Sequence, residues 1–213
     1  MNRKVTQLYP SPTRDLHLKG VYLQENLRGE AEKLGRPFVF ANFITSLDGR
    51  IAVPHPTKGG MVVPDNITNP RDWRLLQELQ AQADLVLSTG RYLRDYEEGR
   101  AQENLQVYAD SEYADLLDWR IQHGLKPEPD LAIVSRTLDF VIPKALRESE
   151  RKLLVLTTEQ AYSEKGKSIA NESIKVVPCG EGSVAGSTLV EKLGEMGYTT
   201  VFSASGPKIL HML

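Results

Sequence analysis

Four short segments of this 213-residue chain combine side chains that bind anions or polar heterocycles, and each follows an apolar run. They are residues 45–49, 88–91, 135–136 and 203–207. Glycines in three of them let the backbone approach a ligand, and free N–H groups at the start of a helix attract phosphate. Together these segments predict a site for a small molecule that carries phosphate.

Individual residues in these segments suggest particular roles. Arg91 could pair with a phosphate, and the hydroxyl and guanidinium of Ser135-Arg136 would suit the 2′-phosphate that distinguishes NADP from NAD. Ser46 and Asp48 could orient a polar heterocycle, although Asp-Gly is also a common turn. Each segment by itself is equally compatible with a solvated surface turn, so the prediction depends on finding several of them.

Several classes of protein are disfavoured by the composition and by missing motifs. Without a G-x-G-x-x-G, Walker or G-x-S-x-G motif, the chain does not match Rossmann dehydrogenases, P-loop NTPases or serine hydrolases. Cys179 is the only cysteine and the four histidines are far apart, so neither a disulfide nor a metal site is expected. A net charge of −2 and the lack of a long apolar run argue against nucleic acid or membrane as partners. We expect a cytoplasmic, metal-independent protein that acts on a small molecule.

The apolar pattern predicts strands that alternate with helices. Strands are expected at residues 37–45, 85–88, 131–134, 153–156, 174–177 and 200–202. Helices are expected at residues 23–34, 111–123 and 187–194, and from Asn69-Pro70, Thr158 and Gly206-Pro207 onward. This alternation is typical of an α/β fold with a mostly parallel central sheet flanked by helices. Ligands of such sheets bind at the carboxyl ends of strands, where the four segments fall.

Taken in order, these segments resemble the pyrimidine reductase domain of riboflavin biosynthesis, from about residue 37 to residue 213. Residues 46–52, S-L-D-G-R-I-A, are similar to the family's S-L-D-G-[KR]-[IT]-A, and residues 67–70, I-T-N-P, to its I-T-S-P. Residues 83–87, followed by Gly90 and Asp95, resemble A-D-A-I-L-V-G-x-x-T-V-x-x-D. Further matches of this kind are residues 133–135 with V-x-D-S, 176–180 with V-V-x-C-G, and 205–207 with E-G-G-[PT].

The resemblance implies a dihydrofolate-reductase-like α/β fold for residues 37–213, preceded by an N-terminal arm of residues 1–36. The family's final strand pair would lie beyond Leu213. The family reduces the ribosyl side chain of an aminopyrimidine ribosyl phosphate with NADPH, and its members are commonly homodimers. A family-typical structural role is implied for Cys179.

The resemblance and the loops together assign residues to a cofactor site and a substrate site. The NADPH site comprises Ile44, Thr68, Thr89, Gly90, Arg91, Asp95, Ser135, Arg136, Ser205, Gly206 and Pro207. The substrate site comprises Asn42, Ser46, Asp48 and Arg100. No general acid is assigned, because Asp48 is more typical of a turn-stabilising residue than of a proton donor.

Departures from the family pattern fall on the substrate side. Ala204 stands where the family has a substrate-binding glutamate, Gln80 replaces an arginine, and residues 95–100 lack the family's D-D-P sequence. Two alternatives therefore stay open. One is a reductase of another small substrate, such as a pterin or folate, and the other is a nucleotide-binding protein without turnover.

Overall fold

The computed structural model describes residues 4–57, 59–100, 107 and 111–213. Its strands, in chain order, are β1 (Lys4–Gln7), β2 (Arg14–His17), β3 (Phe38–Phe40), β4 (Val53–Pro54), β5 (Met61–Val62), β6 (Leu85–Thr89), β7 (Asp130–Val134), β8 (Leu153–Thr157), β9 (Ile174–Pro178) and β10 (Thr200–Ser203). Its α-helices are α1 (Leu27–Leu34), α2 (Pro70–Ala81), α3 (Gly90–Glu97), α4 (Ala114–Gln122), α5 (Lys144–Arg147), α6 (Glu159–Ala161), α7 (Lys167–Ile169), α8 (Gly186–Glu195) and α9 (Pro207–Met212). A π-helical turn, Tyr162–Gly166, joins α6 to α7.

Six strands of the described chain form one parallel sheet in the order β3-β10-β6-β7-β8-β9. The pairs β1–β2 and β4–β5 form two separate antiparallel hairpins. Their short strands lie in segments that the sequence pattern had left without strands. The parallel sheet flanked by helices is the α/β architecture that the alternation of elements predicts.

The first predicted strand is much shorter than expected. Residues 37–45 were predicted to be extended, but β3 covers only Phe38–Phe40. Its pairing with β10 ends at Phe40, opposite Phe202. The chain turns away instead, and residues 41–52 form a loop at the carboxyl end of the sheet.

Two apolar layers cover the faces of the sheet because successive strand residues point to opposite sides. On one face, Val86, Ile133 and Val155 pack with α2, α3 and the helices after β8. On the other face, Leu87 and Leu156 pack with α8 and α9. Beyond α2 lies a smaller cluster that includes Trp73 and α4. Helix α2 is therefore covered on two sides, which explains why its polar side chains are buried.

Two helix starts with a side-chain cap are predicted correctly. Asn69 Oδ1 accepts from the Arg71 amide at 2.8 Å, and Thr158 Oγ1 accepts from the Ala161 amide at 3.2 Å. Two starts for which a serine cap was predicted are wrong. Helix α8 begins after Ala185 rather than at a Ser187 cap, and α4 begins after Tyr113 rather than at Ser111.

Other helix predictions also need correction. Helix α3 is not among the predicted helices; Thr89 ends β6 and caps α3 directly. The side chain of Ile121 on α4 is exposed. Among the described residues, no helix is long and apolar enough to cross a membrane.

The N-terminal arm is fastened to α2 by a buried carboxylate. Glu78 accepts from the backbone amides of Gly20 and Tyr22 at 2.6 and 2.9 Å. Arg74 balances its charge through a 2.9 Å contact, and Arg74 also binds Asp115 of α4. The arm, α2 and α4 therefore share one set of charged hydrogen bonds.

Candidate active site

Three of the predicted ligand-binding segments follow adjacent parallel strands. In the sheet, β6 lies between β10 and β7, and Ser203 pairs with Leu87 while Thr89 pairs with Val134. The loops after these three strands consequently lie side by side at one edge. The loop after β3, on the far side of β10, completes a row of four. The sheet topology thus brings together the four predicted segments, which the sequence only placed at the ends of separate strands.

The loop after β10 is rigid at its base and open at its tip. The hydroxyls of Ser203 and Ser205 are buried and lie 2.7 Å apart, and the Ala204 amide donates to Leu87 O at 2.9 Å. Gly206 has φ −72°, and a Cβ added there would meet no atom within 4 Å. Neither backbone strain nor packing within the protein requires a glycine at this position. The open space beside Gly206 fits the close approach of a ligand backbone or phosphate.

Gly90, by contrast, is required by packing inside the protein. A Cβ at this residue would lie 2.9 Å from the ring of Phe140 and 3.2 Å from Ser135 Oγ. Thr89, just before it, is occupied as the cap of α3, where its hydroxyl accepts from the Tyr92 amide at 3.3 Å. Gly90 therefore packs the β6 loop against the β7 loop, and Thr89 fixes the start of α3.

The loop after β7 is held in shape by Ser135. The Ser135 amide donates to Leu156 O at 3.0 Å, and its hydroxyl accepts from the Leu138 amide at 3.2 Å. Leu138 adopts a left-handed conformation with φ +59° and is buried. Arg136 follows Ser135 on the exposed side of this turn. The loop therefore presents a guanidinium to solvent from a fixed backbone.

The three arginines predicted at the site differ in whether their charge is already balanced. Arg91 lies 3.5 Å from Asp95, and Arg100 contacts both Asp95, at 2.9 Å, and Glu98. Arg136 makes no ion pair with any residue that the structure describes. Asp95 is thus an ion-pair partner of two arginines, and Arg136 is the predicted cation best placed to receive an anion.

The loop after β3 forms a tight turn around Ser46 and Asp48. The Ser46 amide donates to Arg50 O and the Arg50 amide donates back to Ser46 Oγ, at 2.9 and 3.1 Å. Asp48 accepts from the Ser46 hydroxyl and lies 3.1 Å from the Arg50 guanidinium. With its side chain 61% exposed, Asp48 stabilises the turn and has no desolvated setting that would favour proton donation.

A carboxyl group that the sequence reasoning missed lies beside this loop. Asp72, in the first turn of α2, is half-buried, and burial raises its pKa while a hydrogen bond from the Asn42 amide opposes the rise. The same carboxyl contributes, after burial, to raising the pKa of Tyr22. An acidic residue near a helix N-terminus is usually explained by the helix dipole. The sequence signal that could have identified Asp72 is its position two residues after Pro70, at the end of α2 that faces the carboxyl ends of the strands.

The contacts of the other residues predicted at the site do not indicate a ligand-binding role. Ile44 is half-buried in the loop after β3, and Thr68 donates its hydroxyl to Asp65 O at 2.8 Å, just before α2. Pro207 is the first residue of α9. Cys179 is fully buried, burial raises the pKa of its thiol to about 11, and its amide donates to Thr157 O at 2.8 Å. Such a thiol is a packing residue and a poor nucleophile.

Two of the departures from the family pattern, Ala204 and Gln80, have different surroundings. Ala204 is half-buried and packs against the core, so the described part of this loop offers a methyl group where a carboxylate was expected. Gln80 is fully buried on α2, and its side-chain Oε1 and Nε2 have no hydrogen-bond partner among the described residues. A buried amide without hydrogen bonds is unfavourable for folding.

The fold and these loops define an α/β protein with a row of four loops at the carboxyl edge of a parallel sheet. Residues 37–213 match the family model described as the RibD C-terminal domain, so the chain belongs to that family. The match confirms the predicted family and, with the solved structures below, the dihydrofolate-reductase-like fold.

Two solved structures are similar to this chain. A pyrimidine reductase-like protein from Corynebacterium diphtheriae has a TM-score of 0.60 at 18% identity, covering 81% of this chain and 67% of that one. The RibD protein of Acinetobacter baumannii has a TM-score of 0.51 at 18% identity, covering 84% of this chain but only 43% of its own. At these identities the likeness shows the fold alone. No curated protein matches the sequence.

Proposed function

We propose that this protein is an NADPH-dependent reductase of the riboflavin-pathway type, acting on an aminopyrimidine ribosyl phosphate. Membership in the RibD C-terminal domain family supports a reductase. The choice of cofactor depends on two loops of the same sheet edge: one has an open Gly206, and the other has an exposed Arg136 that forms no ion pair with the described residues.

The residues present fit a dinucleotide with an additional phosphate. The bound cofactor supplies a hydride, and the protein positions it against the substrate. Gly206 leaves room for the diphosphate to approach the β10 loop, and the Ser203–Ser205 hydroxyl pair fixes the base of that loop. Arg136 carries the charge that receives the 2′-phosphate, since Arg91 is already paired with Asp95.

The substrate side is assigned to the loop after β3 and the start of α2. Asn42 and Asp72 are hydrogen bonded there and present an amide and a carboxyl group to a polar heterocycle. Asp72 is the candidate proton donor or heterocycle-binding carboxyl group, in place of Asp48. Arg100 is balanced by Asp95 and Glu98, so any contact with a substrate phosphate would require it to share those partners.

A second substrate class is supported by the altered polar groups. Ala204 stands where a carboxylate was expected, so the β10 loop offers a methyl group to a substrate. A pterin or folate, which is recognised through a carboxyl group, fits Asp72. Oxidation of NADPH by dihydrofolate, without oxidation by the ribosylaminopyrimidine, would favour this alternative.

The test is equilibrium titration of NADPH and NADH followed by cofactor fluorescence, with Arg136→Gln and Arg147→Gln as a matched pair. Arg147 is an exposed arginine of α5 and is not assigned to the site. We expect NADPH to bind at least about 10-fold more tightly than NADH, since one charged hydrogen bond contributes about 1.5–3 kcal/mol. Arg136→Gln should remove most of that preference and Arg147→Gln none.

Other outcomes contradict the proposal. If neither cofactor binds, or if NADH binds as well as NADPH, the NADPH-dependent reductase is wrong. If NADPH binds but no candidate substrate oxidises it, the protein binds nucleotide without turnover.

A further inference from the structure

The loop of residues 135–140, here called the anion loop, is tied down by three separate elements. From α3, Arg94 Nη1 donates to Asp139 O at 2.8 Å. From the start of α6, the Thr158 hydroxyl donates to Arg136 O at 3.2 Å. From the π-helical turn, Lys165 Nζ donates to Thr137 O at 3.3 Å and to Asp139 Oδ1 at 2.5 Å. These donors come from three elements that are distant in the chain, so they fix the conformation of the loop.

The π-helical turn has a geometry that suits this contact. Turns of this kind are rare and are often found at functional sites. Within it, Gly166 is packed so tightly that a Cβ would lie 2.7 Å from the Tyr162 ring. The turn therefore depends on a glycine next to Lys165. That residue reaches across to a loop that is 26 residues earlier in the chain.

Lys165 also neutralises the acidic group that lies nearest to Arg136 in the anion loop. Asp139 is three residues from Arg136, and its carboxylate is paired with Lys165. Without that ammonium group, Arg94 would remain as a cation that acts on Asp139, but more negative charge would face a phosphate at this loop. Lys165 thus acts on the loop in two ways: it hydrogen bonds to the loop backbone, and its positive charge pairs with the carboxylate of Asp139.

We propose that Lys165 is a positioning residue for cofactor selection: it holds the anion loop so that Arg136 can receive a phosphate, and it removes the opposing charge of Asp139. The inference rests on the proposed function, because it takes the anion to be the 2′-phosphate of NADPH. Lys165 itself contacts the loop and is not assigned to contact the cofactor.

The experiment compares Lys165→Gln with Lys167→Gln and Lys165→Arg. Lys167 is an exposed lysine two residues away on α7 and serves as the matched control. In Lys165→Gln we expect the Kd for NADPH to rise about 10-fold while the Kd for NADH is unchanged, since only the phosphorylated cofactor meets the loop charge. Lys165→Arg should restore NADPH binding, and Lys167→Gln should bind both cofactors as the wild type does.

Hydrogen exchange of the cofactor-free proteins measures the loop directly. The Leu138 amide, bonded to Ser135 Oγ, should exchange faster in Lys165→Gln than in Lys167→Gln. Unchanged exchange would overturn the inference, and so would faster exchange with equal losses of NADPH and NADH binding, which indicates a purely structural tie. A wild-type protein that does not prefer NADPH overturns the proposed function itself, and this result appears before any variant is compared.

Discussion

Gly90 and Ser135 lie so close together that a single methyl group on Gly90 would approach Ser135 Oγ to 3.2 Å. This contact joins the start of α3 to the anion loop, so two of the strand-end loops form one packed unit. A small residue at position 90 is thus a condition for the position of Arg136.

Replacing Gly90 with alanine should therefore destabilise the protein, even though alanine normally favours a helix. We expect the free energy of unfolding to fall by about 1–3 kcal/mol, which is typical of an overpacked site. Urea denaturation measures this change. An unchanged or higher stability would show that Phe140 and Ser135 can shift without cost.

Gly206→Ala should weaken cofactor binding without lowering stability, in contrast to Gly90→Ala. Because nothing in the protein occupies the space of its Cβ, stability should stay the same or rise by about 0.4–1 kcal/mol, while NADPH binding weakens. The matched control is Gly182→Ala, since Gly182 also has open space around it and lies outside the proposed site. Equal NADPH affinities of the two variants would argue against cofactor contact at Gly206.

Asp72 and Asp48 form a pair of carboxyl groups with different expected roles. Asp72→Asn should lower kcat/KM by about 10-fold or more, whereas Asp48→Asn should leave turnover unchanged and only loosen the turn. Since burial raises the pKa of Asp72, a proton-donating role also predicts that activity declines as pH rises through that pKa. Steady-state kinetics from pH 4 to pH 8 would measure this, and a larger effect of Asp48→Asn would reverse the assignment.

Gln80→Met tests the unsatisfied amide on α2. Removing two buried polar atoms without partners should raise the free energy of unfolding by about 1–3 kcal/mol. Because Gln80 lies near the end of α2 opposite to Asp72, the Kd for NADPH should stay constant. A loss of stability instead would show that the amide already has a partner in the free protein.

Asp84 should make folding stability depend on acid pH. Burial alone would raise the pKa of Asp84, but hydrogen bonds from Thr199 and the Arg28 guanidinium outweigh it and hold the pKa below its usual value. Because the folded pKa is the lower one, this stabilisation is complete above the unfolded pKa of about 4 and is lost as pH falls through the folded pKa. Asp84→Asn should cost about 2–3 kcal/mol at pH 7.

Urea unfolding of wild type and Asp84→Asn at pH 7 and pH 3 checks this dependence. The difference between the two proteins should shrink at pH 3. A difference that stays constant would mean that Asp84 is not the group responsible.

The local signals of the sequence determined much of the helix and strand content. Strands β6 to β10 follow short, mostly apolar runs typical of strands buried in a parallel sheet, and their positions were predicted to within a residue or two. Asn69 and Thr158 could be identified as caps because the capping group is in the side chain itself. No such signal was available at Ala185, since no side chain caps α8.

The site depended on tertiary structure in a different way. The sequence alone indicated hydroxyls and guanidiniums at strand ends, and hence a phosphate-binding edge. Which cation is available was decided only in three dimensions, where Asp95 engages both Arg91 and Arg100 while Arg136 stays unpaired among the described residues. The importance of Asp72 and Lys165 likewise arises from burial and from contacts between residues distant in the chain. A residue's type and local spacing carry its chemistry, but its charge balance and pKa depend on neighbours that only the fold supplies.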